Sequence, residues 1–435
     1  LVLALVPWVL KGNVYELLMC QLLPGISLKL KVDGFGILFA LVASSLWIVT
    51  TIYSIGYMRG LKEHAQTRFF CFFAVALSAT LGVAFSANLL TMYIFYEILS
   101  LSTYPLVAHH QNEESRMAGR KYLTYLFGGS IGLALPAMIM IYMLTGTLEF
   151  NSAGVLGVLF IPKLMPILLI MFLYGFGKAG IMPLHSWLPG AMVAPTPVSS
   201  LLHAVAVVKV GVFCIARVLT GIFGSHYLTL NDLVPWVCYI AGFTVIAASL
   251  IALYQDNLKR LLAFSTIGQL SYIVMGIGLA SQSAVMGGAL HIVMHAFGKI
   301  TLFFCAGAIY VGTGKKYVSQ MAGFGKKMPW TFAAFFIGSL GIIGLPPTGG
   351  FVSKWMMLTG ALNSDQIFIM SIYLISSFLN ACYFFPVLYT AFFKSAEAGS
   401  EDVSEPPLLC VIPPVITASI SVLLFFKYDL IIQLL

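Results

Sequence analysis

Apolar residues in this chain do not keep to one helical face. They form runs of about 20 residues separated by short polar or basic patches, the length an α-helix needs to cross a bilayer core. The runs predict spans at roughly 34–58, 69–87, 89–108, 121–145, 164–182, 198–223, 233–254, 260–280, 285–312, 330–362, 366–394 and 407–426. Two of these are interrupted. The fifth meets Pro183 and enters PLHSWLPGAMVAPTP, and the tenth is cut by GLPPTGG at 344–350. The opening LVLALVPWVL is too short to span and lacks the basic start of a signal peptide. It reads as the end of a helix whose beginning is absent, so the chain is expected to be a fragment lacking an N-terminal hairpin.

The expected fold class is therefore an all-α polytopic membrane protein. The interrupted helices stand five spans apart, and a unit of five helices reverses its direction in the membrane, so spans two to six and seven to eleven are expected to form an inverted pair. This divides the chain into an N-terminal stub, exterior segment and first full span (1–66), a first repeat (67–224), a second, inverted repeat (225–395), and a C-terminal loop with the last helix (396–435). Broken helices at matching positions of two halves point to a transport site.

Composition agrees with a bilayer environment. Of 435 residues 60% are apolar and 9% charged, with a mean hydropathy of +0.97, whereas soluble domains carry roughly 25% charged residues. The net charge of +8 has a topological explanation. Arg59, Lys62, Arg68, Arg116, Arg120, Lys121, Lys259, Arg260, Lys315, Lys316, Lys326, Lys327 and Lys394 fall on one side of the predicted spans. Lys11, Lys29, Lys31, Lys163 and Lys427 fall on the other. Positive loops stay inside, which makes the first set cytoplasmic and puts the C-terminus outside a multi-pass cell-membrane protein. No basic groove for a nucleic acid emerges. The seven cysteines are scattered, with no C-x-x-C and no Cys/His spacing for zinc or an iron–sulfur cluster. No cofactor and no metal site are expected.

A charge at mid-membrane costs about 2.5–3.5 kcal/mol on insertion scales, so intramembrane ionisable residues face protein or water and carry a task. Glu97 is the lone acid within a span. Lys178 ends the first interrupted helix, His203 and Lys209 share the sixth span, and Lys354 follows the second break. His291, His295 and Lys299 recur every four residues on one helical stripe. A buried lysine loses its proton readily unless a carboxylate stands near, and histidines titrate near neutrality, so this set suits proton relay. Haem ligation does not fit, since two histidines on one stripe cannot approach an iron from opposite faces. Arg217 reads as a snorkelling or topological residue near a span end. His109 and His110 read as satisfied interfacial histidines.

The segments FGKAGIMPLHSWLPGAMVAPTPVSSLLHAVAVVKVG (176–211), YQDNLKRLLAFSTIGQLSY (254–272), HIVMHAFGKITLFF (291–304) and GLPPTGGFVSKW (344–355) carry a resemblance over nearly the whole chain. It resembles the antiporter-like membrane subunits shared by respiratory complex I, Mrp-type sodium/proton antiporters and membrane-bound hydrogenases. The resemblance implies a fourteen-helix fold of which about twelve spans and the stub are present. It also implies that Glu97 is the fifth-helix carboxylate, Lys178 its seventh-helix partner and Lys209 the eighth-helix lysine. His291, His295 and Lys299 would form the eleventh-helix relay, with Lys354 the terminal group of the twelfth.

The leading functional expectation is proton translocation through these groups, with a Glu97/Lys178 pair gating loading. The chain would act as a subunit of a redox-driven pump or a cation/proton antiporter. Its partners would be homologous antiporter-like and small membrane subunits, with soluble redox subunits in the complex I and hydrogenase branches. No redox centre is read in this chain, so any oxidoreductase activity belongs to those partners. The alternatives are sodium/proton exchange without redox partners, and a structural membrane anchor of a redox complex.

Overall fold

The computed structural model describes residues 2–23, 26–157, 159–201, 205–395 and 403–435. The chain starts with α1 (Val2–Leu10) and an antiparallel hairpin of β1 (Tyr15–Leu23) and β2 (Ile26–Val32), paired from Tyr15↔Val32 to Leu23↔Ile26. The hairpin corrects the all-α expectation. Residues 26–32 alternate apolar and polar, a period of two that suits a strand and not a span. Its backbone is tied to the turn beyond it, where the Lys31 N–H donates to the Phe85 carbonyl at 2.6 Å and the Ala87 N–H to that of Lys29 at 3.0 Å.

From there the chain is helical. First come α2 (Gly34–Gly60), α3 (Gln66–Ala84), α4 (Leu89–Val107) and α5 (Glu113–Gly129), which runs through a π-helical turn (Ser130–Ala134) into α6 (Leu135–Thr145). Pro136, lacking an N–H, cannot bond back to the preceding turn, which accounts for the widening there. Next are α7 (Leu164–Gly175), α8 (Trp187–Gly190), α9 (Thr196–Leu201), α10 (Val207–Val218), α11 (Ser225–Leu230), α12 (Val234–Leu253), α13 (Leu258–Gly278) and α14 (Gln282–Thr313). The chain closes with α15 (Phe324–Lys327), α16 (Pro329–Ile343), α17 (Gly349–Asn363), α18 (Ile367–Phe393), α19 (Leu408–Phe426) and α20 (Asp429–Ile432). Among the described residues eight helices are long and apolar enough to cross a membrane.

Burial is arranged for a bilayer. Large apolar side chains such as Ile48, Phe243, Phe378 and Phe426 stand exposed on the perimeter, while Lys178, Lys209, His291, His295 and Lys299 are enclosed. Helix α14 is the axis of this arrangement, packed against α2, α9, α13, α16, α17 and α19. Surface apolar groups face lipid without penalty, so the polar atoms in the interior are the ones that must find partners.

Candidate functional site

The first break holds Lys178. Helix α7 stops at Gly175, and a 3-10 turn (Gly177–Ala179) carries the lysine into the protein. The lysine's backbone N–H donates to the Tyr96 hydroxyl at 3.1 Å, and its Nζ donates to the Tyr96 carbonyl at 2.7 Å and to Ser100 Oγ at 2.6 Å. The same Nζ lies 3.0 Å from the Tyr96 ring centroid. Gly211 of α10 makes this possible, since a Cβ there would fall 2.2 Å from the Ala179 nitrogen.

Glu97 follows Tyr96 but points about 100° further round α4. Its two oxygens are buried and have no hydrogen-bond partner among the described residues. No ion pair within 4.0 Å joins it to Lys178, although the two are close enough to feel each other's charge. The expected pair is thus not a contact pair: Ser100 and the Tyr96 carbonyl hold the ammonium on the neighbouring face of α4.

The centre is formed where α10, α13 and α14 meet. Lys209 Nζ and His295 Nδ1 are 2.7 Å apart. The His295 and His291 rings stack one helical turn apart with centroids at 5.8 Å. His291 Nε2 lies 3.0 Å from Gln269 Oε1 and its Nδ1 lies 2.8 Å from Ser353 Oγ. With the Asn380 amide oriented to suit its neighbours, its oxygen accepts from Gln269 Nε2 at 2.9 Å and from Lys354 Nζ at 3.2 Å. Gln269 then presents its oxygen to His291, so the network assigns the imidazole proton to Nε2 and leaves Nδ1 to accept from Ser353. A chain of polar contacts therefore joins Lys354 to His291. Lys299 stands aside from it: its Nζ has no hydrogen-bond partner among the described residues and lies 5.4 Å from the Phe384 ring centroid.

The second break explains the position of Lys354. Helix α16 ends at Ile343 before Leu345-Pro346-Pro347, leaving carbonyls that the helix cannot satisfy. Lys354, one turn into α17, reaches back and donates to the Ile342 carbonyl at 2.7 Å and the Ile343 carbonyl at 3.2 Å. A cation at a helix C-terminus is also favoured by the helix dipole. Gly344 has φ +88° and a Cβ there would sit 2.7 Å from Lys354 Cδ, so both the backbone turn and the room for the lysine depend on glycine.

Residues 86–380 match the family described as NADH:quinone oxidoreductase/Mrp antiporter, transmembrane, and residues 24–70 match the N-terminus of complex I chain 5. The chain belongs to this NADH:quinone oxidoreductase/Mrp antiporter family. It is 31% identical over 437 residues to an Na(+)/H(+) antiporter subunit of Alkalihalophilus pseudofirmus, covering 92% of this chain and 53% of that protein. It is 34% identical to NADH-quinone oxidoreductase subunit N of Desulforudis audaxviator, covering 80% of this chain and 69% of that one. The chain spans about half the length of the first of these relatives. Its fold superposes on a chain of the Mrp complex from Dietzia sp. DQ12-45-1b with a TM-score of 0.86 at 21% identity, covering 100% of this chain and 88% of that chain.

Within this NADH:quinone oxidoreductase/Mrp member, the structure gathers Lys209, His291, His295 and Lys354 in one interior region, with Lys299 on the next turn of the same helix as the histidines. It places Glu97 and Lys178 together on the α4 side without contact. His203 lies outside the described residues, as does the expected boundary at 396. Sequence reasoning misses Gln269, Ser353 and Asn380, because it searches the spans for ionisable groups alone. An amide inside an apolar run is the signal that marks Gln269 and Asn380.

Arg217 does not snorkel. Its guanidinium donates to both Asp33 oxygens, Nη1 at 2.7 Å and Nη2 at 2.5 Å, while Asp33 caps α2 by accepting from the Gly36 N–H at 2.8 Å. Burial pushes the Asp33 carboxyl up, but the charge and hydrogen bonds of Arg217, with the Gly36 N–H, outweigh it and hold the group below its usual 3.8. His109 is not a satisfied interfacial histidine either: it is fully buried, and neither ring nitrogen has a hydrogen-bond partner among the described residues.

Proposed function

We propose that this chain translocates protons across the cell membrane as one member of a multi-subunit complex. Protons would be loaded at Lys178 under the influence of Glu97. They would pass through Lys209, His295, Lys299 and His291, with His203 at the start of the same row, and reach Lys354 through Gln269 and Asn380. The observation that carries this reading is the contact chain His291–Gln269–Asn380–Lys354, which ends on a lysine held by the broken helix. A proton can pass through an amide when its carbonyl oxygen takes one proton while its nitrogen releases another, the imidic-acid form then reverting to the amide, and through an imidazole when one ring nitrogen gains a proton as the other loses one. A static structural pair would need one acid per base, and the interior here has several bases for one acid.

The reading includes twelve spans in two inverted five-helix repeats, 67–224 and 225–395, with cytoplasmic basic loops and an exterior C-terminus. A cavity of about 580 Å³, lined by Tyr57, Glu63, His110, Thr196 and Lys259, opens among the basic loops and would serve as the proton inlet. Partner membrane subunits, with or without soluble redox subunits, would supply the driving step. Lys178→Ala and Glu97→Ala, assembled in the native complex, should abolish proton movement in vesicles. Unchanged proton movement in a correctly assembled variant overturns the relay.

A second reading, cation/proton exchange, is favoured by the antiporter names of relatives such as the Alkalihalophilus pseudofirmus protein. Sodium prefers several oxygen ligands, whereas the interior offers mostly nitrogen, so sodium would cross elsewhere in the assembly. Sodium-dependent proton release lost on Glu97→Gln would reverse this ranking.

A further inference from the structure

The turn between α2 and α3 and the turn after α4 are far apart in sequence, yet they bring three histidines around one carboxylate. Glu63 Oε2 lies 3.9 Å from His64 Nδ1, 3.9 Å from His109 Nε2 and 3.6 Å from His110 Nδ1. The ligand atoms of Glu63, His64 and His109 all lie within 4.8 Å of one another. Ligands on a tetrahedral zinc at 2.0–2.1 Å are about 3.3 Å apart. At 3.6–3.9 Å the Glu63 oxygen stands about 0.3–0.6 Å beyond that separation from the three nitrogens.

His109 is the second observation. Its side chain is 0% exposed, Nε2 faces Glu63, and both ring nitrogens lack hydrogen-bond partners among the described residues. The position of the ring is fixed by its surroundings. Arg68 Nη2 donates to the His109 carbonyl at 3.0 Å, and the imidazole packs edge-on against Phe69. His64 and His110 are 54% and 32% exposed, which leaves a path from solvent to the cluster.

We propose that Glu63, His64, His109 and His110 form a zinc-class divalent metal site that fastens the α2–α3 turn to the end of α4. Three imidazoles and one carboxylate suit a borderline cation, and the scarcity of oxygen donors disfavours magnesium and calcium. Closing the site needs a shift of the half-exposed His64 and His110 rings toward Glu63, with His109 as the fixed ligand. Glu63 and His110 also line the cavity proposed as the proton inlet, but none of the four residues belongs to the row from Lys178 to Lys354, so zinc binding is measured directly and its outcome does not depend on proton flux.

The test is zinc binding to the purified full chain in detergent, measured by competition with a chromophoric chelator. One bound zinc per chain is expected. Removing even an outer-shell partner of a metal ligand costs about 10–100-fold in affinity, so His64→Ala, His109→Ala and His110→Ala should each weaken binding by at least about tenfold. His226→Ala, on the exposed face of α11, should not. The half-exposed His64 and His110 variants decide the matter if His109→Ala fails to fold. X-ray absorption should show only nitrogen and oxygen neighbours at about 2.0–2.1 Å. Affinity unchanged in the His64 and His110 variants, or a sulfur neighbour at about 2.3 Å, overturns the site.

Discussion

Lys209 of α10 and His295 of α14 meet at 2.7 Å in the middle of the protein, both with almost no exposed surface. The contact couples the half of the chain that carries the first break to the central helix. His295→Ala should therefore lower proton translocation by about tenfold or more while the complex still assembles, since a positioned acid–base group contributes about 10²–10⁴-fold. Proton flux in vesicles, normalised to the amount of assembled protein, checks this, and His295→Ala with wild-type flux would remove Lys209 and His295 from the path.

Gln269 and Asn380 carry no charge, so their role in a relay is separable from electrostatics. Asn380→Leu is close in volume but cuts the link between His291 and Lys354 and leaves Gln269 Nε2 without its acceptor. The variant should assemble yet move protons about tenfold or more slowly, whereas Asn380→Gln should retain part of the rate. Equal rates for Asn380→Leu and wild type would mean that protons bypass the amides.

Arg217 and Asp33 join the end of α10 to the start of α2. The pair is partly buried, with side-chain exposures of 11% and 25%, so breaking it from one side costs up to about 3–5 kcal/mol, the figure for a fully buried pair whose remaining charge is left unpaired. Asp33→Ala should thus lower thermal stability strongly, with the added loss of the α2 cap, and a second change, Arg217→Met, should restore part of it. The pH dependence has a definite sign. The folded Asp33 carboxyl titrates below its usual 3.8, so its contribution is complete above that value and is lost as pH falls through the folded one. Asp33→Ala should accordingly flatten the acid limb of the stability profile, and an unchanged limb would count against the pair.

Gly344 is placed where a side chain fits neither the backbone nor the space. Gly344→Ala should cost about 1–3 kcal/mol from the left-handed backbone alone, with more from the clash with Lys354. The lysine would have to leave the Ile342 and Ile343 carbonyls, so proton flux should fall together with stability. Gly314→Ala offers a comparison. It shares a positive φ of +70° but has no atom within 4 Å of the added Cβ, and should lose stability without losing flux.

Much was legible in the linear chain because a bilayer imposes simple rules. A helix must satisfy its backbone internally and run about 20 residues, so apolar run length located most of the helices, and GLPPTGG placed the second break; the first comes at Gly175, eight residues before the Pro183 at which the sequence put it. The cost of burying charge singled out Glu97, Lys178, Lys209, His291, His295, Lys299 and Lys354, and the helical period put His291, His295 and Lys299 on one stripe of α14. Tertiary structure decided what those groups touch. Lys178 chose Ser100 and a carbonyl over Glu97, because neighbours on a helix differ by about 100° and the 3-10 turn delivers the amine to one face. Asn380 and Gln269 entered the chain of contacts because α13 and α18 come together beside α17, a relation that no run length encodes. Arg217 found Asp33, and Glu63 with its neighbour His64 met His109 and His110, through contacts between segments far apart in sequence. Hydropathy reports the solvent each residue meets. Which partner satisfies a buried polar atom depends on how the helices pack, and packing is fixed by the whole chain together.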